Sequence, residues 1–359
     1  MRQSPSRIGW VASGAASVRH SPTATLRESF GARPAIALAL SLLFVGSAAH
    51  LSAQAPPLNS GALFLLFPVG AQAVGMGQTA AALEGRGEAV FANPAGLGAL
   101  ATNEFALHTA RLAAGTATAL TAFFPGHGVG VFGGALYLVD YGDQDVSDSG
   151  GTTVARIAPR NFALFATYAT QLTGAFALGV SYKLIEFHVD CSGVCPPLAA
   201  GGGVTHGLDL GGQFGIGPDH ALRVGVALRN VGFALQVNNR DQADPLPTRL
   251  VVGAAYRLQL RPVADTVAAE RFDLRVAADL ESPWRETGTA DVRLGVDLGY
   301  RAFVRVRGGY AFVHEGLSGP SVGLGVATGS IGVDFARTFL TGTDLIVADP
   351  TFLSFRVTF

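Results

Sequence analysis

Charge is scarce in this chain, and its positive charge is almost all arginine. Only 14% of the 359 residues are charged, against about 25% in an ordinary soluble domain, and Lys183 is the one lysine. No segment gathers five basic residues, so the footprint of a nucleic-acid binder is missing. Long apolar runs are lacking as well. A membrane helix needs roughly 20 apolar residues in a row, and the one approach to this is the short tract 35–46, which excludes a polytopic helical protein although 49% of residues are hydrophobic. Two cysteines are too few for a four-cysteine zinc site, and Cys191 and Cys195 are one residue too far apart for a Cys-x-x-Cys redox motif. Either a loop disulfide in an oxidising compartment or two free thiols fits, and the disulfide is the preferred reading. The eight histidines include no i, i+4 pair of the kind a helical metal site uses. Neither metal nor cofactor is expected.

What the chain does have begins with an address. Arg2, Arg7, Arg19, Arg27 and Arg33 face one acid, Glu28; an apolar stretch and a small-residue tract follow. This is the order of a secretory signal peptide. Cleavage is expected after Ala53, making 1–53 a leader, and the exported chain then carries 20 basic and 25 acidic residues. Residues 54–102 are rich in Gly and Ala without a period of two, whereas 103–359 alternate repeatedly. Phe272, Leu274, Val276, Ala278 and Leu280 interleave with Asp273, Arg275, Ala277 and Asp279, and Phe176, Leu178, Val180, Tyr182 and Leu184 with Ala177, Gly179, Ser181 and Lys183. A strand with this pattern turns one face to an apolar medium and the other to water. The polar face is often Gly, Ala or Ser rather than Lys and Glu, which suits a crowded lumen better than the open face of a soluble sandwich.

Turn signals divide 103–359 into fourteen strands, with connections at 142–156, 190–202, 236–247, 261–270 and 343–349 long and several others of one or two residues. An even strand number and such loops are those of an outer-membrane antiparallel β-barrel. The ending Leu353, Phe355, Val357 and Phe359, alternating and closing on Phe, looks like a carboxy-terminal signal for the outer-membrane assembly machinery. The expected architecture is thus all-β: a barrel of about 14 strands over 103–359, preceded by a short plug, or hatch, over 54–102, in the outer membrane of a Gram-negative-type bacterium and in contact with its lipid.

Motifs of enzyme chemistry are out of context. Gly128-Val-Gly-Val-Phe-Gly133 has the spacing of a dinucleotide fingerprint but lies in an alternating strand rather than before a helix. Gly319-Pro-Ser-Val-Gly323 spells a nucleophile elbow but opens a strand. His188 near Asp190 is read as an exposed loop-end imidazole. Asp273, Asp279, Asp297 and Asp334 have Arg275, Arg293, Arg305, Arg307, Arg337 and Arg356 on neighbouring strands, so charge-paired ladders explain them without catalysis. No enzyme is expected.

The informative constellation is Phe64-Leu-Leu-Phe-Pro68, Gly70, Gly75-Met76-Gly77, then Glu84-Gly-Arg-Gly-Glu88, then Asn93-Pro94-Ala95-Gly96. Over about 40 residues this order resembles the PorV/PorQ family of outer-membrane proteins, related to the FadL-type barrels. The resemblance implies a fourteen-stranded barrel with an amino-terminal plug. It departs from the family where many members carry paired aspartates, since Glu84, Arg86 and Glu88 stand there. Phe64, Leu65, Leu66 and Phe67 offer the plug an apolar surface, the glycines a flexible backbone, and Asn93-Pro94 a turn. The segment either only closes the barrel or also gates a ligand. Two non-enzymatic functions follow from the resemblance: service in type IX protein secretion, with secreted cargo proteins as partners, or passive passage of hydrophobic small molecules such as fatty acids.

Overall fold

The structure, a computed structural model, describes residues 60–126, 128–195, 201–236, 243–259, 272–284, 289–301, 303–314, 318–340 and 349–359. The leader 1–53 and its cleavage site lie outside the described residues. Fifteen strands follow one another: β1 (Glu104–Leu112), β2 (Gly115–Gly126), β3 (Gly130–Asp140), β4 (Gln144–Ser147), β5 (Thr153–Gln171), β6 (Phe176–Gly193), β7 (Gly201–Ile216), β8 (Leu222–Gly232), β9 (Arg249–Gln259), β10 (Phe272–Pro283), β11 (Asp291–Tyr300), β12 (Val304–Phe312), β13 (Gly319–Thr328), β14 (Ile331–Thr338) and β15 (Thr351–Thr358). Each pairs antiparallel with its sequence neighbour, except that β3 pairs with β5 and β15 returns to β1. The result is a closed barrel of fourteen strands. β4 is a short addition on the free edge of β5 above the ring.

Closure leaves no sheet edge within the ring, which a hydrocarbon environment demands because it offers backbone groups no other partner. The alternation read from the sequence sets the faces, and it is inverted relative to a soluble protein. Phe105, Leu136, Leu178, Leu210, Leu294 and Phe335 are exposed on the outside, while Lys183, Asp209, Asp297 and Arg307 are almost wholly buried inside. Lys183 is stabilised there by Asp209 at 2.7 Å and by the Asn230 side-chain oxygen at 2.5 Å. A bulge makes that site: the β7–β8 register slips at Asp209, and Asn230 takes a φ of 58°. Arg229 and Asn230 thereby both face inward.

The two ends differ. Chain entry at β1 and chain exit at β15 share one end, where the connections 172–175, 217–221, 301–303 and 329–330 are short. The opposite end carries the connections 141–152, 194–200, 233–248 and 339–350. Short periplasmic turns and longer outer loops orient the barrel. The connection 260–271 lies outside the described residues, but it joins strand ends on the short-turn side and so departs from the strict alternation. Outward aromatics ring that same end: Phe105 meets Phe124 and Phe359, Phe132 meets Tyr168, and Phe272 meets Tyr300. Such rings belong at the lipid headgroups.

Two expectations need correction. β5 and β6 run to 19 and 18 residues, well past the 9 to 11 or so that cross a membrane, so that part of the expected loops 142–156 and 190–202 is strand. Above the membrane their outer face carries Arg156, Arg160, Glu186, His188 and Asp190 instead of apolar residues. Arg156 pairs with Asp145, Arg160 with Asp140 and Asp190, and His188 with Asp190. A disulfide joins Cys191, at the end of β6, to Cys195 just beyond it. Arg337 faces outward and pairs with Asp349 at 2.9 Å, so it belongs to no lumen ladder.

Candidate functional site

Residues 60–100 lie inside the barrel with very little regular structure: 3-10 turns at Leu63–Leu66, Gly87–Phe91 and Pro94–Ala99, and the single helical turn α1 (Ala71–Gly75). These turns satisfy part of the segment's backbone, but other buried amides and carbonyls have no partner within it, and a buried orphan is costly. The barrel wall supplies the partners. The Ala71 N–H donates to Ser354 Oγ (2.9 Å) and the Gly77 N–H to Ser321 Oγ (3.0 Å). Asp279 accepts from both Ala80 and Ala81, at 2.7 and 2.9 Å. Glu104 accepts from Gly87 at 2.6 Å. Gln213 donates to the Ala81 and Leu83 carbonyls, and Arg229 to that of Leu65. Two ion pairs tie the charged stretch to separate strands, Glu84 to Arg223 on β8 and Arg86 to Asp334 on β14, both at 2.8 Å.

Asn93 is the hinge of this arrangement. Its side-chain oxygen accepts from the Ala95 N–H, holding the turn into Pro94–Ala99. Its amide nitrogen donates to Ala81 at 2.7 Å and to the wall carbonyl of Gly212 at 3.2 Å. The wall facing it is cut away. A Cβ at Gly211 would overlap the Asn93 oxygen, one at Gly225 the Ala81 carbonyl, and one at Gly309 the backbone of Gly77. Gly77 itself has a φ of 67° and is hemmed by the backbone of Leu294 and Tyr310, so no other residue fits.

Of the residues singled out from the sequence, Phe64 and Leu65 are buried, Phe64 stacking on Tyr137 at 5.8 Å. Met76, Asn93, Pro94, Ala95 and Gly96 are buried too, and Gly75 packs on Gly323. Leu66, Phe67 and Pro68 line a cavity, together with Val69, Leu83 and Phe91 and the guanidinium groups of Arg229 and Arg293. Gly70 lies against Glu88. Leu353 and Phe355 point out toward lipid on β15, far from this site. Ser321, in the Gly319–Gly323 string, serves the plug as an acceptor. The wall acceptors as a group were not singled out. The side-chain pattern pairs Asp279 with arginine, yet Arg293, opposite it in register, turns to Glu281 at 2.5 Å. The signal available was polar or glycine residues on the inward positions of strands. Among the other acids, Asp273 and Asp297 hold Arg305, and Asp334 holds Arg307 at 2.6 Å, forming the expected ladder.

The cavity measures about 60 Å³, less than the roughly 150 Å³ void that holds benzene in a protein interior. In this conformation the cavity is too small for a molecule of that size.

Glu88, at the rim of the cavity, is pushed up from 4.5 to about 7, chiefly by burial and also by Asp334 and Glu104, against the pull of Arg86 and Arg307. Seating the plug thus favours the protonated carboxyl. That contribution is complete below about pH 4.5 and fades as the pH rises through 7. Amides of residues 84–91, corrected for intrinsic rate, are expected to exchange faster at pH 8 than at pH 6, and Glu88→Gln to abolish the difference. Equal protection at both pH values in the unaltered protein refutes this.

No protein-family model matches the chain, and no curated protein matches it. Solved structures do. The Ralstonia pickettii toluene transporter TbuX aligns with a TM-score of 0.55 at 14% identity, over 81% of this chain and 98% of its own. The CymD monoaromatic hydrocarbon channel gives 0.55 at 16% identity, over 81% and 97%. The Pseudomonas putida toluene transporter TodX gives 0.54 at 12% identity, over 81% and 98%. At such identities the likeness establishes the fold alone, and this chain shares the closed barrel of these transporters.

Proposed function

We propose that the protein is a passive outer-membrane channel for hydrophobic small molecules, closed by the segment 60–100. The observation that carries this reading is the closure itself. A barrel built only as a scaffold gains nothing from a partly apolar cavity between the wall and a plug whose backbone is held by separable polar contacts. Here Leu66, Phe67, Val69 and Phe91 line such a cavity, and plug contacts reach β1, β7, β8, β10, β13, β14 and β15. Release of the plug would clear the lumen and bare the apolar side chains that now line this cavity. The named activities of TbuX, CymD and TodX, which share the fold, favour a hydrophobic solute. The membership in the PorV/PorQ family and the secretion role which the sequence resemblance implies draw no support from the fold likeness, and no feature of the described loops favours cargo binding.

The test is uptake of a hydrophobic fluorophore, N-phenyl-1-naphthylamine, by cells producing the barrel in their outer membrane. Uptake several-fold faster than in cells producing an unrelated barrel of similar abundance is expected. Equal rates overturn the proposal.

A further inference from the structure

Arg257 and Arg275 stand apart from the other charged groups of the lumen. They oppose one another in the β9–β10 register, both on inward positions, where cross-strand neighbours lie about 5 Å apart and like charges repel. The nearby acids are engaged elsewhere. Asp297, opposite Arg275 on β11, accepts from Arg305 at 2.7 Å with one oxygen, and its other oxygen, free of hydrogen bonds, lies 3.5 Å from Arg307. Asp273 is held by Arg305 through both its oxygens. Glu84 is taken by Arg223. Among the described residues every other inward-facing arginine of the wall has an acidic partner within 4.0 Å, and these two guanidinium groups have none. Arg257 is exposed at the rim and Arg275 half-buried beside it, at the end that bears the chain termini.

A rim that merely meets water has no use for two cations in register. Placing them together costs repulsion that a bound anion removes. We propose that Arg257 and Arg275 form an oxyanion site in the periplasmic mouth, taking the carboxylate or phosphate group of a small solute. Planar guanidinium groups match such oxygens with forked donors, and a mouth walled by protein concentrates the field of the pair. The site does not depend on the channel reading, because it lies on the wall rather than on the plug.

Calorimetric titration of the detergent-extracted protein with inorganic phosphate, and separately with benzoate, at pH 7.5 and fixed ionic strength tests this. Saturable binding of at least one probe is expected, weakened by about tenfold or more in the doubly substituted Arg257→Gln, Arg275→Gln variant and unchanged by Arg156→Gln on the outer hairpin. Phosphate without benzoate, or the reverse, assigns the chemistry of the natural solute. Thermal unfolding guards against a folding defect: in chloride the double variant is expected to melt no lower than the parent, since repulsion is relieved. The bound probe should raise the melting temperature of the parent alone. No saturable binding to the parent, or equal binding by the double variant, overturns the site.

Discussion

Replacing Gly225 by valine is expected to leave the fourteen strands paired and the lumen open. Gly225 faces inward on β8, where any Cβ would overlap the Ala81 carbonyl and crowd the Ala82 nitrogen. Both obstacles are backbone, so no rotamer relieves them. The wall cannot yield either, because β8 is paired along both edges with β7 and β9. The plug must move, and moving Ala81 also strains the bonds from Asp279, Asn93 and Gln213 that converge on that residue. Overpacking alone costs about 1 to 3 kcal/mol, and lost hydrogen bonds to buried groups add about 1 kcal/mol or more each. A total above about 3 kcal/mol changes the ratio of seated to unseated plug by more than about a hundredfold. Entry of a polar dye that the parent barrel excludes should therefore rise sharply, with heat-modifiable mobility on gels showing that the barrel is still assembled. Gly212→Ala, on the outward face of β7 where a Cβ meets no atom closer than 3.7 Å, should leave dye entry unchanged. An impermeable, fully assembled Gly225→Val barrel would show that the plug does not govern the passage.

The fold was largely legible because period-two alternation states directly which side chains meet lipid. It failed where the surroundings change along one strand. Above the membrane the outer faces of β5 and β6 meet water, and Arg156 and Asp190 then read as loop. Arg337 was misplaced for the same reason: near the outer end of β14, an outward charge is no longer penalised. The plug was legible as a segment through Phe64–Pro68, Gly75–Gly77 and Asn93–Gly96, but its seat was not. Asp279 receives two backbone amides about 200 positions distant in sequence, and a backbone donor leaves no mark in the side-chain pattern. Arg293, one strand away, is the partner that side-chain reasoning finds first. The inward glycines carried the missing information. A lumen-facing Gly in an otherwise regular strand marks a close approach of another backbone, and Gly211, Gly225 and Gly309 trace where the plug runs.

Asp279→Ala is expected to loosen the plug by the opposite means, removing support rather than adding bulk. The Asp279 carboxylate fits its place because Gly253, its cross-strand neighbour on β9, has no side chain: a Cβ there would overlap the carboxylate. From that slot one oxygen accepts both the Ala80 and Ala81 N–H groups. Alanine leaves the two donors buried and unpaired, at about 1 to 3 kcal/mol each, and opens a space that the plug alone can fill by shifting. A loss near 3 kcal/mol in local opening free energy corresponds to amide exchange faster by about a hundredfold for residues 71–83, with the strand amides of β9 and β10 unchanged. Asp279→Asn keeps an acceptor of the same shape and should recover most of the protection. That rescue separates a hydrogen-bonded seat from a purely electrostatic one: if asparagine proved as damaging as alanine, the negative charge would be what holds the plug, and the geometry of two amides on one oxygen would be incidental. Equal exchange in all three proteins would place the restraint elsewhere, on the Arg86 and Glu84 ion pairs and on Asn93.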